Sequence, residues 1–173
     1  MKYIIYLYIL FPAILLSQIK SPEIIGGTIE PVVVQVDGLS KVTIQERINS
    51  WIDNSYRRPA NVIKVNNENQ IRIRAYDECF FKSIAIGKVC YNVYYFITID
   101  IKEGKYRFSF EFDEITYDGT YNFNFTVYFK KDGTLRKGKA ARFALETANE
   151  SVGILFDSLY YTVSGQKSEN DDW

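Results

Sequence analysis

The chain contains no histidine, and this absence removes several kinds of chemistry. Histidine is the commonest general base, a frequent zinc ligand, and the partner of serine or cysteine in nucleophilic catalysis. There is also no CxxC motif, and Gly26-Gly27 lacks the lysine and serine or threonine that complete a phosphate-binding loop. We therefore predict a protein that is not an enzyme and holds no metal or other cofactor.

The chain also lacks an excess of either charge. Lys and Arg together number 21, as do Asp and Glu, so the formal net charge is zero. A neutral chain creates no global field that would attract phosphate groups. We predict that the protein does not bind nucleic acid.

Apolar and aromatic residues, by contrast, are abundant. Hydrophobic residues, with the aromatic ones included, make up 47 % of the 173 residues, and 14 are Tyr and 12 are Phe. Aromatic side chains favour strands, and a chain of this length can bury a substantial core. We expect one domain over residues 31–165, after a lead-in arm at 18–30 and before a polar tail at 166–173.

The first 17 residues have the pattern of a signal peptide. Lys2 precedes an apolar run from Tyr3 to Leu16, which is shorter than the roughly 20 residues of a membrane-spanning helix and is followed by polar residues. A buried N-terminal strand or helix is the alternative. We predict cleavage near Ser17, a periplasmic or secreted location, and no transmembrane segment in the mature chain.

Two cysteines, Cys79 and Cys90, are separated by ten residues. An oxidising compartment would permit a disulfide between them. Two separate, partly buried thiols are an equally good interpretation, because cysteine is often buried without pairing.

Two segments have the periodicity of amphipathic helices. In the first, Ser40 is placed to cap the helix, and Pro59 is expected to end it. Its apolar stripe includes Trp51, which we interpret as a core residue rather than one that stacks on a ligand. The second helix is expected from about Lys139 to Ser164.

Strand patterns fill most of the region between the helices. We expect strands at 32–36, 61–66, 70–76 and 121–130, with an irregular connection at 77–90 and a loop at 113–120.

The most regular stretch is a predicted hairpin over residues 92–112, which turns at Glu103-Gly104 because glycine accepts positive φ. This turn sets a register in which apolar residues face apolar residues. The expected pairs are Lys102 with Lys105, Ile101 with Tyr106, Asp100 with Arg107, Ile99 with Phe108, Ile97 with Phe110, and Tyr95 with Phe112.

These elements predict an α+β fold in the order β-α-β-β-β-β-β-α. A curved antiparallel sheet of five to six strands would carry both helices on one face. Alternation then leaves a second face open to solvent, and we take it as the candidate binding surface. Its proposed residues are Arg72, Arg74, Tyr94, Phe96, Arg107 and Tyr128.

Arginine beside tyrosine is typical of recognition surfaces. An ordinary solvated sheet face is an equally good interpretation, because Asp100 should pair with Arg107 across the hairpin and Glu111 should lie near Phe96.

The runs RINSWIDNSYRRPANVIKVNNENQIRI and YNVYYFITIDIKEGKYRFSF resemble a family of exported bacterial proteins, domain of unknown function 4468, over about residues 32–130 and the closing helix. The resemblance implies a TATA-binding-protein-like fold and an extracytoplasmic location in bacteria of the Bacteroidetes type, and it carries over no catalytic residue. The related eukaryotic fold binds DNA on its open face, a role that export and neutral charge disfavour here.

We therefore predict a non-enzymatic binding or accessory module that uses the open face for a protein or envelope ligand. The alternative is a self-associating envelope protein, a homodimer joined by edge-to-edge strand pairing. An enzyme is the third interpretation and would need clustered carboxylates in a deep pocket.

Overall fold

The computed structural model describes residues 20–84, 87–117 and 121–166. The predicted signal peptide and all but the first residue of the polar tail lie outside these ranges. No helix in the described ranges is long and apolar enough to cross a membrane.

The fold is α+β, as predicted, and its main sheet has six antiparallel strands. The strand order is β3-β7-β6-β5-β4, and β8 pairs with the far end of β7. The elements of this sheet and its helices are β3 (Val32–Gln35), α1 (Lys41–Ser55), α2 (Pro59–Val62), β4 (Ile63–Asn66), β5 (Gln70–Ser83), β6 (Val89–Lys102), β7 (Lys105–Tyr117), β8 (Tyr121–Phe123), a 3-10 helix (Phe125–Tyr128) and α3 (Lys139–Ser164).

The predicted lead-in arm contains a small hairpin of its own. Strands β1 (Ile24–Ile25) and β2 (Thr28–Ile29) pair across Gly26-Gly27, and both glycines have positive φ. Ile24 is buried, and its N–H donates to the side chain of Asn149 on α3 at 2.9 Å. The arm is therefore part of the packed structure.

The central hairpin forms in the predicted register. All six expected pairs between β6 and β7 are present, and Gly104 has a φ of 66° at the turn. The prediction succeeds because a two-residue turn fixes the register and a one-residue slip would bring apolar side chains to the solvent face.

Both long helices lie on one face of the sheet and pack against each other in antiparallel directions. Ser40 caps α1 by accepting from the N–H of Thr43, as predicted. Trp51 is buried and donates from Nε1 to Ser158 of α3 at 3.1 Å, while Phe156 of α3 contacts Phe108 of β7. These contacts support the interpretation of Trp51 as a core residue.

Several boundaries differ from the predictions. Helix α1 ends at Ser55, and Pro59 instead begins the short helix α2, where its missing N–H costs no hydrogen bond. The connection predicted at 77–90 is mostly strand, because β5 continues to Ser83. The loop predicted at 113–120 is also strand as far as Tyr117; residues 118–120 lie outside the described ranges.

A β-bulge between Asp77 and Phe81 lets β5 continue past its irregular segment. Cys79 lies in this bulge with a φ of 52°, and its N–H donates to the side chain of Asn92. A disulfide joins Cys79 to Cys90, so the sequence's two alternatives are resolved in favour of pairing. The bond connects β5 to β6 where their pairing is irregular.

Candidate functional site

The open face consists of the outward side chains of β5, β6 and β7. In the observed register, Arg74, Phe96 and Glu111 form one row across the three strands, and Arg107 lies beside Asp100 nearer the hairpin turn. Arg72, Arg74, Tyr94 and Phe96 are half-buried by their neighbours, while Arg107 is exposed. Five of the six proposed residues therefore share this surface.

Arg72 lies flat against the sheet. Its guanidinium carbon is 4.2 Å from the centre of the Phe96 ring, and its Nη2 is 3.3 Å from a carboxylate oxygen of Glu111. Its Nε is buried and has no hydrogen-bond partner among the described residues. The aromatic ring on one side and the carboxylate at the far end hold the guanidinium in place.

Arg74, two residues further along β5, makes the same kinds of contact. Its guanidinium carbon is 4.4 Å from the centre of the Tyr94 ring, and its Nε donates to Asp113 at 2.6 Å. Nη2 is also 3.9 Å from Glu114, and the Tyr76 ring lies 4.7 Å from that of Tyr94. The arginine is therefore held by one ring and two carboxylates.

Arg107 belongs to a separate cluster near the hairpin turn. Its Nε and Nη2 both donate to Oδ2 of Asp100, at 2.9 and 2.6 Å, and Gln70 donates to the other oxygen. Partial burial would raise the pKa of Asp100, but the hydrogen bonds from Gln70 and Arg107 outweigh it and lower the pKa below its ordinary value.

Tyr128 does not belong to the open face, and its placement there was wrong. The strand predicted at 121–130 ends at Phe123, because Asn124 caps a 3-10 turn by accepting from the N–H of Thr126. Tyr128 lies in that turn, is buried, and packs on Phe125. Tertiary packing of aromatic rings overrides the alternating pattern in this segment.

Sequence reasoning missed Asp113 and Glu114, which were assigned to a loop. A bulge in β7 leaves Asp113 without a partner, since Tyr95 pairs with Phe112 and Tyr94 with Glu114. The sequence did contain one sign that the strand continues: Ile115 is apolar and buried, and it resumes the apolar–polar alternation of β7 after the bulge.

The open face offers recognition chemistry. Each guanidinium has an aromatic ring beneath it, and the arginine side chains are 38 % and 35 % exposed, so they can still stack on a ring or donate hydrogen bonds. Within residues 20–84, 87–117 and 121–166, no group of three or more cysteine, aspartate or glutamate side chains is arranged to hold a metal ion.

A second polar cluster lies beneath the sheet. Tyr95 is fully buried and donates to Asp77 at 2.9 Å, and Tyr56 lies 3.3 Å from the Tyr95 hydroxyl, which leaves Tyr56 as the donor between them. Burial raises the pKa of Tyr56 to about 12. Burial also raises the pKa of Asp77, although the hydrogen bond from Tyr95 opposes this.

Asp77→Asn should make the protein more stable than the parent, and the difference in the free energy of unfolding should grow as pH rises. Asparagine still accepts from Tyr95. In the parent, the unfolded chain ionises at the ordinary pKa of 3.8 while the folded state retains its proton, so stability falls as pH rises from there through the folded pKa. Urea unfolding at about pH 3.5 and pH 7 measures this difference. The same change at exposed Asp53 is the control, and a pH-independent difference would contradict the prediction.

Comparisons with known proteins agree on the fold. Among curated proteins, none is similar enough to this chain to count as a relative. A crystal structure of a DUF4468 family protein from Bacteroides ovatus is 21 % identical, with a TM-score of 0.61, and the match covers 87 % of this chain and 92 % of that one. A crystal structure of a TBP-like protein from Parabacteroides distasonis is 18 % identical, with a TM-score of 0.59, and the match covers 82 % of this chain and 96 % of that one.

At these identities the two structures establish the fold alone. Family membership rests on the family model that matches residues 32–118, which is half of the chain and includes α1, the central hairpin and the open face. The chain belongs to the family described as domain of unknown function (DUF4468) with TBP-like fold.

Proposed function

We propose that this protein is a non-enzymatic binding module that acts outside the cytoplasm and holds its partner on the open face. The Cys79–Cys90 disulfide supports the location, because disulfides persist mainly in oxidising compartments. The predicted signal peptide, which lies outside the described residues, agrees with it.

One observation carries the proposal: Arg72 and Arg74 of β5 are held over the rings of Phe96 and Tyr94 of β6 by carboxylates of β7. A long side chain normally loses rotamer freedom when it binds a partner. The side chains of Arg72 and Arg74 have lost much of this freedom before binding. Arginine and tyrosine are also the residue types that dominate binding hot spots. The face is therefore preorganised for contact.

The charges on this face favour a protein or envelope ligand over nucleic acid. Glu111, Asp113 and Glu114 lie next to the two arginines. A phosphate group that approached either guanidinium would therefore be repelled by a neighbouring carboxylate. Fold likeness to the TATA-binding protein does not carry DNA binding with it. A partner with aromatic rings and both signs of charge fits this surface better.

Self-association by edge pairing receives less support. The edge strands β3 and β4 have four residues each, and short edge strands are one means by which sheets avoid pairing with other chains. The homodimer stays a prediction.

The double change Arg74→Ala with Tyr94→Ala should abolish capture of the partner from a native envelope fraction. Both residues contact solvent, so the melting temperature should fall by no more than about 8 °C, as expected for the loss of about 1–2 kcal/mol. Affinity capture with both proteins as bait, followed by mass spectrometry, identifies which partners are lost.

Arg142→Ala with Tyr161→Ala on α3 is the matched control, since it removes the same two residue types from a helix on the other side of the sheet from the open face. Partners that depend on the open face should be retained by this control. An identical partner set for all three baits would remove the proposal.

A further inference from the structure

The outer edge of β7 is paired at both ends and unpaired in the middle. Strand β3 pairs with residues 105–108 and β8 with residues 115–117. Between them, the part of the sheet that the structure describes has no strand paired with residues 109–114 on this side. A short strand could therefore be added opposite Phe110 and Phe112, in line with β3 and β8 and beside the arm, which approaches this part of β7.

The direction of the backbone groups in this gap follows from the register. The N–H of Val36 donates to the carbonyl of Gly104 at 2.8 Å, so Gly104 presents its backbone groups to the β3 side. Backbone groups alternate sides along a strand. Phe110 and Phe112, which have the same parity as Gly104 and precede the bulge, therefore point their N–H and C=O groups into the gap.

A cleft of about 480 Å³ lies beside this unpaired edge, and we call it the edge cleft. Its opposite wall is the arm at Gly27–Ile29, and its far end is formed by β8 and the start of the 3-10 helix. The arm is seated firmly, because a Cβ on Gly27 would come within 3.1 Å of Thr126. The apolar lining residues are Ile29, Phe110, Phe112, Ile115, Phe123 and Phe125.

The chain cannot close the gap with its own β3. The ladder between β3 and β7 ends at the pair Val32–Phe108, and residues 30 and 31 connect β3 to the hairpin of the arm. The size of the cleft is within the range of sites that hold ligands.

The charged groups of the cleft are both acidic. Glu111 and Asp113 are the charged residues of its lining. Together with Glu114 they place three carboxylates beside the guanidinium groups of Arg72 and Arg74. The Glu111 side chain is 66 % exposed, so it can reach a second cation.

We propose that the edge cleft binds an extended peptide segment of a partner protein, which adds to β7 as a strand. Its apolar side chains lie opposite Phe110 and Phe112, and a basic side chain between them lies opposite Glu111. Backbone hydrogen bonds supply affinity in this mode, and alternating side chains supply specificity. This site is at the edge of the sheet, distinct from the arginine–aromatic pairs of the open face.

The probe is the peptide Lys-Val-Lys-Val-Lys, blocked at both ends, whose valines face Phe110 and Phe112 in the proposed register. Amide exchange followed by NMR should show that a saturating concentration slows exchange at both phenylalanines by about tenfold or more, because each N–H gains a partner. The peptide N-methylated at its valines has lost those donors and should leave exchange unchanged. Equal effects from both peptides, or no slowing at either phenylalanine, would overturn the proposal.

Two charge variants test the register. Glu111→Lys should weaken the unmodified peptide by about tenfold, because a like charge replaces the partner of its central lysine. Glu114→Lys makes the same change outside the cleft lining and should weaken it by less, about threefold. Circular dichroism confirms that both variants fold, and equal affinities for the two would contradict the assignment.

A third variant separates this site from the open-face proposal. Arg74→Ala with Tyr94→Ala leaves the β7 backbone in place, so the peptide should still protect Phe110 and Phe112. Loss of protection in that variant would place peptide binding on the open face and refute the edge cleft.

Discussion

Replacing Trp51 with alanine is expected to lower the free energy of unfolding by about 3–5 kcal/mol. The indole is 2 % exposed and lies where α1 meets α3 above the sheet. Alanine would leave a cavity, because Tyr56 and the α3 backbone are held by other contacts and cannot collapse into it. It would also remove the donor to the Ser158 hydroxyl. Equilibrium urea denaturation measures the change.

Val42→Ala on the same helix is the control, since Val42 is 63 % exposed and buries little surface. It should change stability by no more than about 0.5 kcal/mol. A comparable loss for both variants would mean that burial of the indole does not account for the effect, because alanine favours the helix at both positions. A loss below about 1 kcal/mol for Trp51→Ala would mean that the side chain is not part of the core, and would reopen the ligand-stacking interpretation.

The parts of the fold that could be predicted are those that local pattern determines. The hairpin at Glu103-Gly104 and the cap at Ser40 each depend on residues within a few positions of one another. The same holds for α3, whose buried residues recur at three- and four-residue steps and whose end at Gly165 has positive φ. Tertiary packing agrees with local preference in these elements.

The continuation of β5 could not be predicted, because it depends on distant contacts. The N–H of Lys82 donates to the hydroxyl of Thr147, and the carbonyl of Phe80 accepts from Ser151, so two side chains of α3 take the place of a neighbouring strand. The bulge at Asp77–Phe81 disrupts the alternation that would have revealed the strand. No local signal marks a serine or threonine as the partner of a strand more than 60 residues away.

The open face has one feature that the sequence predicts and another that it does not. Alternation along β5 and β6 is enough to direct Arg72, Arg74, Tyr94 and Phe96 outward. It does not reveal how the guanidinium groups lie, because that depends on carboxylates of β7, two strands away from β5, at and next to the bulge. Sequence thus indicates which residues form the surface, and structure is needed to show that they are held rigid.

Loss of the disulfide is the second large effect. The double change Cys79→Ser with Cys90→Ser should lower the free energy of unfolding by about 2–3 kcal/mol, because the cross-link closes a loop with ten residues between its ends and restricts the unfolded chain. Adding a reductant to the parent protein should produce the same loss and should not affect the double variant. A double variant as stable as the oxidised parent would show that the bond does not support the fold.

The bulge itself makes a separate contribution, which a glycine variant isolates. Cys79 has a φ of 52°, a left-handed conformation that costs a side-chain-bearing residue about 1–2 kcal/mol relative to glycine. Cys79→Gly with Cys90→Ser should therefore be more stable than the double serine variant by about 1 kcal/mol. This follows because the N–H of residue 79 still donates to Asn92 and still holds the bulge when the sulfur atoms are gone. If the glycine variant is instead the less stable of the two, the left-handed conformation depends on the disulfide, and β5 and β6 adopt a regular register without it.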